Sequence, residues 1–381
     1  MNEFNYQHNL GHCSITFDDN MSLLSLRLQQ WLSPYNAYAC VIITDDTVGK
    51  LYAELLQSAV QSAGRPCQVL SFPAGELSKT RETKAALEDQ LFALGCTRKT
   101  VVIACGGGVV LDMAGFIAAT YLRGVPCFYL PTSLLAMVDA SIGGKTAVNT
   151  PQGKNLIGTF TQPKAVYIDV SFLSTLPIAE LWQGWSEMVK HAFIKDATLL
   201  NDLEVLADHL QNHQVIDSTL WLQTIKSSIE VKAQVVQADE CERSGERQVL
   251  NFGHTVAHAI EAVSDYSITH GDAVRAGLWI ESYLSYQHHE LSKSDWQRIQ
   301  QVLSLAPVVD IQSWSVQQWD ACIECMFRDK KSYVDDIRCV LLKALGVVND
   351  NGHQWAISID QQAMRQACQA YAKELLCCPV L

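Results

Sequence analysis

Positive charge is scarce in this chain of 381 residues, where 28 Lys and Arg stand against 40 Asp and Glu and leave a formal net charge of −12. That balance disfavours a nucleic acid or an anionic membrane surface as partner. Uninterrupted apolar runs are also scarce. Residues 101–122 come nearest to a membrane span, yet Gly106, Gly107, Gly108 and Asp112 fall inside them, and a carboxylate near mid-membrane is costly. A buried strand, a glycine turn and a helix fit that stretch better. Positions 1–21 are polar and acidic, unlike an export or transit signal, so a cytoplasmic protein is expected. Cys322 and Cys325 form one Cys-x-x-Cys, but no second pair stands at zinc-finger spacing. The 13 cysteines, scattered through apolar runs such as 101–105 and 127–130, read as buried free thiols in a reducing compartment. No repeat, low-complexity tract or long linker is present, and the Gly-x-Gly-x-x-Gly fingerprint is missing.

What remains is an alternating first half and a helical second half. Residues 40–44, 68–71, 101–104 and 127–130 are short apolar or β-branched runs of buried-strand length with helical stretches between several of them, the pattern of a parallel α/β sheet. One helix is punctuated by a cap at Ser78, a face of Thr83, Leu87, Leu91 and Leu94, and a stop at Gly95. Beyond Pro177, residues 180–194, 220–238, 253–263 and 273–289 show helical spacing with few convincing strands. The expectation is an α/β domain over 1–177 and a mostly helical domain over 178–381, each long enough for its own core, packed around a shared cleft.

Three segments carry the chemistry. Glu187, His254 and His270 supply one carboxylate and two imidazoles, the ligand set of a catalytic metal with an open position. Lys190, Lys232 and Arg247 add positive charge, as an acidic, hydroxylated substrate requires. Gly106, Gly107 and Gly108 follow a strand and open a helix, which suits either a tight turn or a cradle for a pyrophosphate. Arg123, Asp139, Lys145, Lys154 and Asn155 lie in glycine-bearing loops and read as a phosphate-binding group. His254 and His258 share a helical face, and His-x-x-x-His alone suggests a metal pair. His191, four residues after Glu187, shares a face with it and reads as a packed neighbour of the site.

Gly106-Gly-Gly-Val-Val-Leu-Asp112, Tyr121-Leu-Arg-Gly124, Pro131-Thr-Ser-Leu-Leu-Ala136, residues 138–145 and 153–158, the Glu187/Lys190 segment and Leu250-Asn-Phe-Gly-His-Thr255 together resemble the 3-dehydroquinate synthase family from about position 45 to 346. The resemblance implies a Rossmann-like NAD-binding domain followed by a helical metal-binding domain, in a homodimer. It implies conversion of 3-deoxy-D-arabino-heptulosonate 7-phosphate, a phosphorylated sugar acid, to 3-dehydroquinate and phosphate in aromatic biosynthesis, with hydride lent to NAD and returned. Position by position it gives NAD to Asp45, Glu76, Lys79, Gly107, Gly108, Asp112, Thr132 and Ser133. Zinc, or cobalt in its place, goes to Glu187, His254 and His270. Phosphate goes to Lys145, Lys154, Asn155, His258 and a lysine of the pair Lys330 and Lys331, with Arg123 reaching across a dimer interface. Asp139 joins the catalytic set. Lys190, Lys232, Arg247 and Asn251 are matched to the substrate carboxylate and ring hydroxyls, and His258 also to proton handling.

Two departures stand out. The interval from Lys232 to Arg247 is one residue longer than the family's usual spacing, and Ser133 replaces a frequent threonine. Rival functions are a cyclase of sedoheptulose 7-phosphate, which has no carboxylate to bind, and a metal-dependent polyol or glycerol-phosphate dehydrogenase, which releases NADH at each turnover.

Overall fold

The computed structural model describes residues 3–8, 11–288, 290–309, 311, 314–327 and 336–377. Lys330 and Lys331 lie outside the described residues. The chain divides into two compact units, Met1–Leu181 and Trp182–Leu381.

The first unit begins with a hairpin of β1 (Glu3–His8) and β2 (Gly11–Asp18), then α1 (Leu24–Leu32), β3 (Ala39–Asp45), α2 (Asp46–Ser62), β4 (Cys67–Phe72), α3 (Arg81–Ala93), β5 (Thr100–Gly106), α4 (Gly108–Thr120), β6 (Cys127–Pro131), β7 (Lys145–Thr150), β8 (Gly153–Phe160) and β9 (Ala165–Asp169). Seven strands make one sheet in the order β1-β2-β9-β6-β5-β3-β4. All its pairings are parallel except β1 with β2. Every residue of β5 is buried, because a strand with two parallel neighbours and both faces covered leaves no position for a polar side chain. β7 and β8 form a separate antiparallel hairpin.

From β3 the chain moves outward to β4 and then returns to β5 on the other side of β3. That reversal opens a crevice at the carboxyl ends of β3 and β5, where doubly wound sheets bind ligands. Asp45 closes β3 and Gly106 closes β5, so both motifs reach this crevice. The cap of α3 differs from the sequence reading. Thr80, not Ser78, accepts the N–H of Thr83, since Ser78 is already turned within the short helical segment Glu76–Ser78. Gly95, in left-handed backbone, follows the last turn as expected.

The second unit is built from α5 (Ile178–Ile194, whose first residues precede the division), α6 (Leu199–Gln211), α7 (Ser218–Ala238), α8 (His254–Val263), α9 (His270–Gln287), α10 (Lys293–Leu303) and α11 (Val316–Phe327). After them come β10 (Ile337–Cys339), β11 (Leu342–Ala344), β12 (Val347–Val348), β13 (Ile357–Ile359) and α12 (Gln361–Cys377). The short antiparallel pairs β10 with β13 and β11 with β12 escape sequence periodicity because strands of two or three residues contain no full repeat. Trp279 anchors the core of this unit against Tyr283, Trp296 and Tyr371.

Two glycines bring the site-bearing helices together. A Cβ on Gly277 of α9 would stand 1.9 Å from the carbonyl oxygen of Gly253, so the start of α8 seats on α9 only because that Cβ is missing. At Gly271 a Cβ would meet Gln183 Cα at 2.6 Å, and the Gly271 N–H instead donates to Gln183 Oε1 at 2.5 Å, tying the start of α9 to α5. Among the described residues no helix is long and apolar enough to cross a membrane, and the cysteines from Cys13 to Cys368 are free thiols.

Candidate active site

Glu187 lies on α5, His254 opens α8 and His270 opens α9, and their ligand atoms gather within 4.8 Å of one another. Glu187 Oε1 is 3.4 Å from His254 Nε2 and 3.3 Å from His270 Nε2. Three ligands about 2.1 Å from one centre at tetrahedral angles lie about 3.4 Å apart, so this spacing could hold a shared divalent ion. Neither buried oxygen of Glu187 has a hydrogen bond of proper geometry among the described residues.

The remaining edges of the rings are held. His254 Nδ1 is 3.1 Å from the carbonyl oxygen of Phe252, and His270 Nδ1 is 3.4 Å from Glu261 Oε2. Such contacts fix which nitrogen faces the centre. Lys190, one turn beyond Glu187, is buried and forms an ion pair with Glu187 Oε2. Burial opposes ionisation of Glu187, but the Lys190 charge and then His254 hold its carboxyl well below the usual range. Burial together with the same ammonium lowers the pKa of His254, against the pull of Glu187. Burial also disfavours charge on His270, yet Glu187 and Glu261 outweigh it and raise that imidazole to about 10.

His258 follows His254 by one turn, with ring centroids 5.5 Å apart, and stays outside the metal set. It lines a cavity of about 350 Å³ with Asn251, His254, Glu242, Arg243, Gln248 and Arg338. Lys232 and Arg247 are buried and are not among the residues lining that cavity. Lys232 sits inside the unbroken helix α7, and in the loop between that helix and Arg247 Glu242 takes left-handed backbone at φ 56°. His191 is buried with its Nδ1 2.8 Å from Ser228 Oγ, linking α5 to α7.

In the first unit, Gly107 is the cap of α4 and offers no side chain, which leaves the first amides of that helix for an anion. Ser133 Oγ lies 3.5 Å from where a Cβ on Gly107 would stand, and the Thr132 N–H donates to the Gly106 carbonyl at 3.0 Å. Asp45 accepts the N–H groups of Thr47 and Val48 through Oδ1 and so caps α2 at the carboxyl end of β3. Buried Lys79 donates to Asp112 Oδ2 and to Asn155 Oδ1, each at 2.5 Å. Burial raises the Asp112 carboxyl despite that lysine.

Asn155 therefore spends its carbonyl oxygen on Lys79 and retains its amide for a ligand. Asn149, absent from the sequence reading, donates from Nδ2 to Glu76 Oε1 at 2.7 Å, and its Oδ1 accepts the Asn155 N–H at 3.0 Å. Asp139 lies in the helical turn Ala136–Ala140, Lys145 starts β7 and is exposed, Lys154 lies in β8, and exposed Arg123 has left-handed backbone at φ 67°. Glu261 could have been found from sequence, since it lies seven residues after His254 on the same helical face. Asn149 carries no comparable signal, because its partners come from two other segments, Glu76 and Lys79 in one and Asn155 in the other.

Residues 69–183 match the family described as 3-dehydroquinate synthase N-terminal, and residues 184–332 the one described as 3-dehydroquinate synthase C-terminal. The curated 3-dehydroquinate synthase of Desulforamulus reducens is 41% identical over 310 residues, covering 81% of this chain and 85% of that protein. This chain belongs to the 3-dehydroquinate synthase family. Among solved structures, 2-epi-5-epi-valiolone synthase from Streptomyces hygroscopicus subsp. jinggangensis, with NAD+ and Zn2+ bound, superimposes with a TM-score of 0.81 at 25% identity, covering 95% of this chain and 97% of that one. A 2-deoxy-scyllo-inosose synthase complexed with carbaglucose-6-phosphate, NAD+ and Co2+ gives 0.83 at 24% identity, covering 97% and 99%. The sheet order and the helical second unit are the architecture that the sequence resemblance implies.

Proposed function

We propose that this chain converts 3-deoxy-D-arabino-heptulosonate 7-phosphate to 3-dehydroquinate and phosphate, with NAD and a divalent metal, in the cytoplasm and as a homodimer. The observation that carries the reading is the convergence of Glu187, His254 and His270 at metal-ligand spacing beside buried Lys190, in a member of this family. The first unit is read as the NAD-binding domain and the second as the metal- and substrate-binding domain.

A bound metal, zinc in our reading, would polarise a substrate hydroxyl and its neighbouring carbonyl, and bound NAD would accept a hydride and give it back. Glu187, His254 and His270 would hold the metal, with Glu261 and the Phe252 carbonyl keeping both rings in place. Gly107 and Gly108 would present the α4 amides to the pyrophosphate, with Thr132 and Ser133 beside them. Asp45, Glu76 and the Lys79–Asp112 pair would hold the ribose side.

Lys145, Lys154, Asn155 and His258 would bind the phosphate, with Arg123 contributing across a dimer interface. His258, exposed on its helix, is placed to move a proton at a ring nitrogen near neutral pH. Arg247 and Lys232 would hold the carboxylate, and Asn251 and Lys190 the ring hydroxyls, while Asp139 completes the catalytic set. These groups chiefly orient the substrate and stabilise developing charge.

The test is a side-by-side assay of the two heptulose phosphates that follows free phosphate, carbocycle and NADH. The expected result is carbocycle and phosphate in equal amounts from the carboxylated sugar, with substoichiometric NAD sufficing. Accumulation of one NADH per product would reject the reading in favour of a dehydrogenase.

A further inference from the structure

The loop between α7 and Arg247 is organised around one carboxylate. Asp239 ends α7 and is 6% exposed. Its Oδ1 accepts the N–H groups of Arg243 at 2.7 Å and Ser244 at 3.3 Å, and its Oδ2 those of Gly245 at 2.9 Å and Arg247 at 3.3 Å. The enclosed segment turns through left-handed backbone at Glu242 (φ 56°) and Gly245 (φ 89°). Conformations of that kind are unfavourable for a non-glycine residue and persist only when the surroundings hold them. The Arg247 side chain returns to the same loop, where its Nη1 donates to the carbonyl oxygen of Glu240. Backbone and guanidinium of Arg247 are thus both referenced to residues 239 and 240.

The same loop borders the cavity, since Arg243, Ser244 and Gly245 line it together with Asn251 and His258. A carboxylate that accepts several backbone N–H groups is strongly held in its ionised form. Burial opposes ionisation here, but the amides of Arg243, Ser244 and Arg247 lower the Asp239 pKa all the same.

We infer that Asp239 is a positioning residue for Arg247: by clamping four amides of the loop it places the guanidinium and shapes the neighbouring wall of the cavity, and so sets the selection of carboxylated sugar phosphates. The inference rests on the proposed role of Arg247 as partner of the substrate carboxylate. Asp239 touches no substrate in this scheme. It acts on where Arg247 stands, and so its loss should weaken recognition more than turnover.

Asp239→Asn keeps the size of the side chain but replaces one acceptor oxygen with a donor, and so forfeits at least the two bonds made by that oxygen. The KM for 3-deoxy-D-arabino-heptulosonate 7-phosphate should rise about tenfold or more with kcat changed far less, and the preference over sedoheptulose 7-phosphate should narrow by a similar factor. Asp217→Asn serves as the comparison, because Asp217 caps the opposite end of α7 through the Thr219 N–H and is exposed. It should cost helix stability without moving KM. In an Arg247→Ala background, Asp239→Asn should add little further loss, since it acts through the side chain already removed. Should Asp239→Asn fail to fold, Asp239→Glu, which keeps the charge but displaces it by a methylene, is read the same way.

An unchanged KM, an equal shift in Asp217→Asn, or full additivity with Arg247→Ala would overturn the positioning role while leaving the proposed function standing. A wild-type enzyme that accepts both sugars equally would overturn the role of Arg247, and this inference with it.

Discussion

Glu261 Oε2 stands 3.4 Å from Nδ1 of His270, while Nε2 of the same ring stands 3.3 Å from Glu187. The imidazole is approached from both edges, which fixes the orientation of its ring and turns Nε2 toward Glu187. Glu261→Ala should therefore weaken zinc binding by about 10- to 100-fold without removing a ligand. Competition against a chromophoric chelator reads this directly. His270→Ala should weaken it further, and an affinity unchanged in Glu261→Ala would show that the contact is incidental.

Lys79 is buried with Asp112 and Asn155 on its ammonium. Lys79→Met leaves the Asp112 carboxylate without its cation in a largely buried place, which should cost roughly 3 kcal/mol of stability and weaken NAD binding. Combining Lys79→Met with Asp112→Leu removes both charges and should return most of the stability but not the NAD affinity. Denaturant melts and calorimetric NAD titrations separate the two effects. If the double variant is no more stable than the single one, the pair is not the source of the loss.

Arg247 is buried and presents a planar fork suited to a carboxylate, and a substrate without one forgoes that bidentate, charge-assisted contact. Arg247→Ala should reduce kcat/KM for the carboxylated sugar by about 30-fold to several thousand-fold, corresponding to roughly 2–5 kcal/mol, with a much smaller effect on any activity toward sedoheptulose 7-phosphate. A loss of equal size on both sugars would mean that Arg247 does not read the carboxylate.

Glu281 lies on α9 and accepts the Gly253 N–H at 2.8 Å where α8 begins. Burial raises its carboxyl to about 8, against the lowering effect of the Gly253, Val256 and Thr255 amides. The folded chain then binds a proton that the unfolded chain, with its ordinary value of 4.5, has lost. Stability from this group is accordingly complete below the unfolded value and declines as pH rises through about 8. Glu281→Gln should flatten that decline, so that the variant gains on the wild type between acid and alkaline pH by up to a few kcal/mol. Chemical denaturation across that range is the measurement, and parallel curves would refute the assignment.

Much of the architecture could be read from sequence because it follows local rules. The runs around 40–44, 68–71, 101–104 and 127–130 become β3 to β6: inner strands β3, β5 and β6 are apolar because both faces are covered, while β4, at the sheet edge, mixes buried and exposed positions, and the long helices of the second unit follow their spacing. β1, β2 and the β7–β8 hairpin give no such signal, and the cap of α3 moved from Ser78 to Thr80 because a preceding turn had already used Ser78. Sequence also determined the identity of the ligand types: a carboxylate and two imidazoles are chemical facts of Glu187, His254 and His270. Their convergence was settled only in three dimensions, by Gly277 letting α8 seat on α9 and Gly271 letting α9 meet α5. The fold also groups His270, and not His258, with Glu187 and His254, because residues one helical turn apart share a face but need not share a centre. Asn149 owes its part to Glu76, 73 residues away, and a hydrogen bond between distant segments leaves no periodicity in a chain.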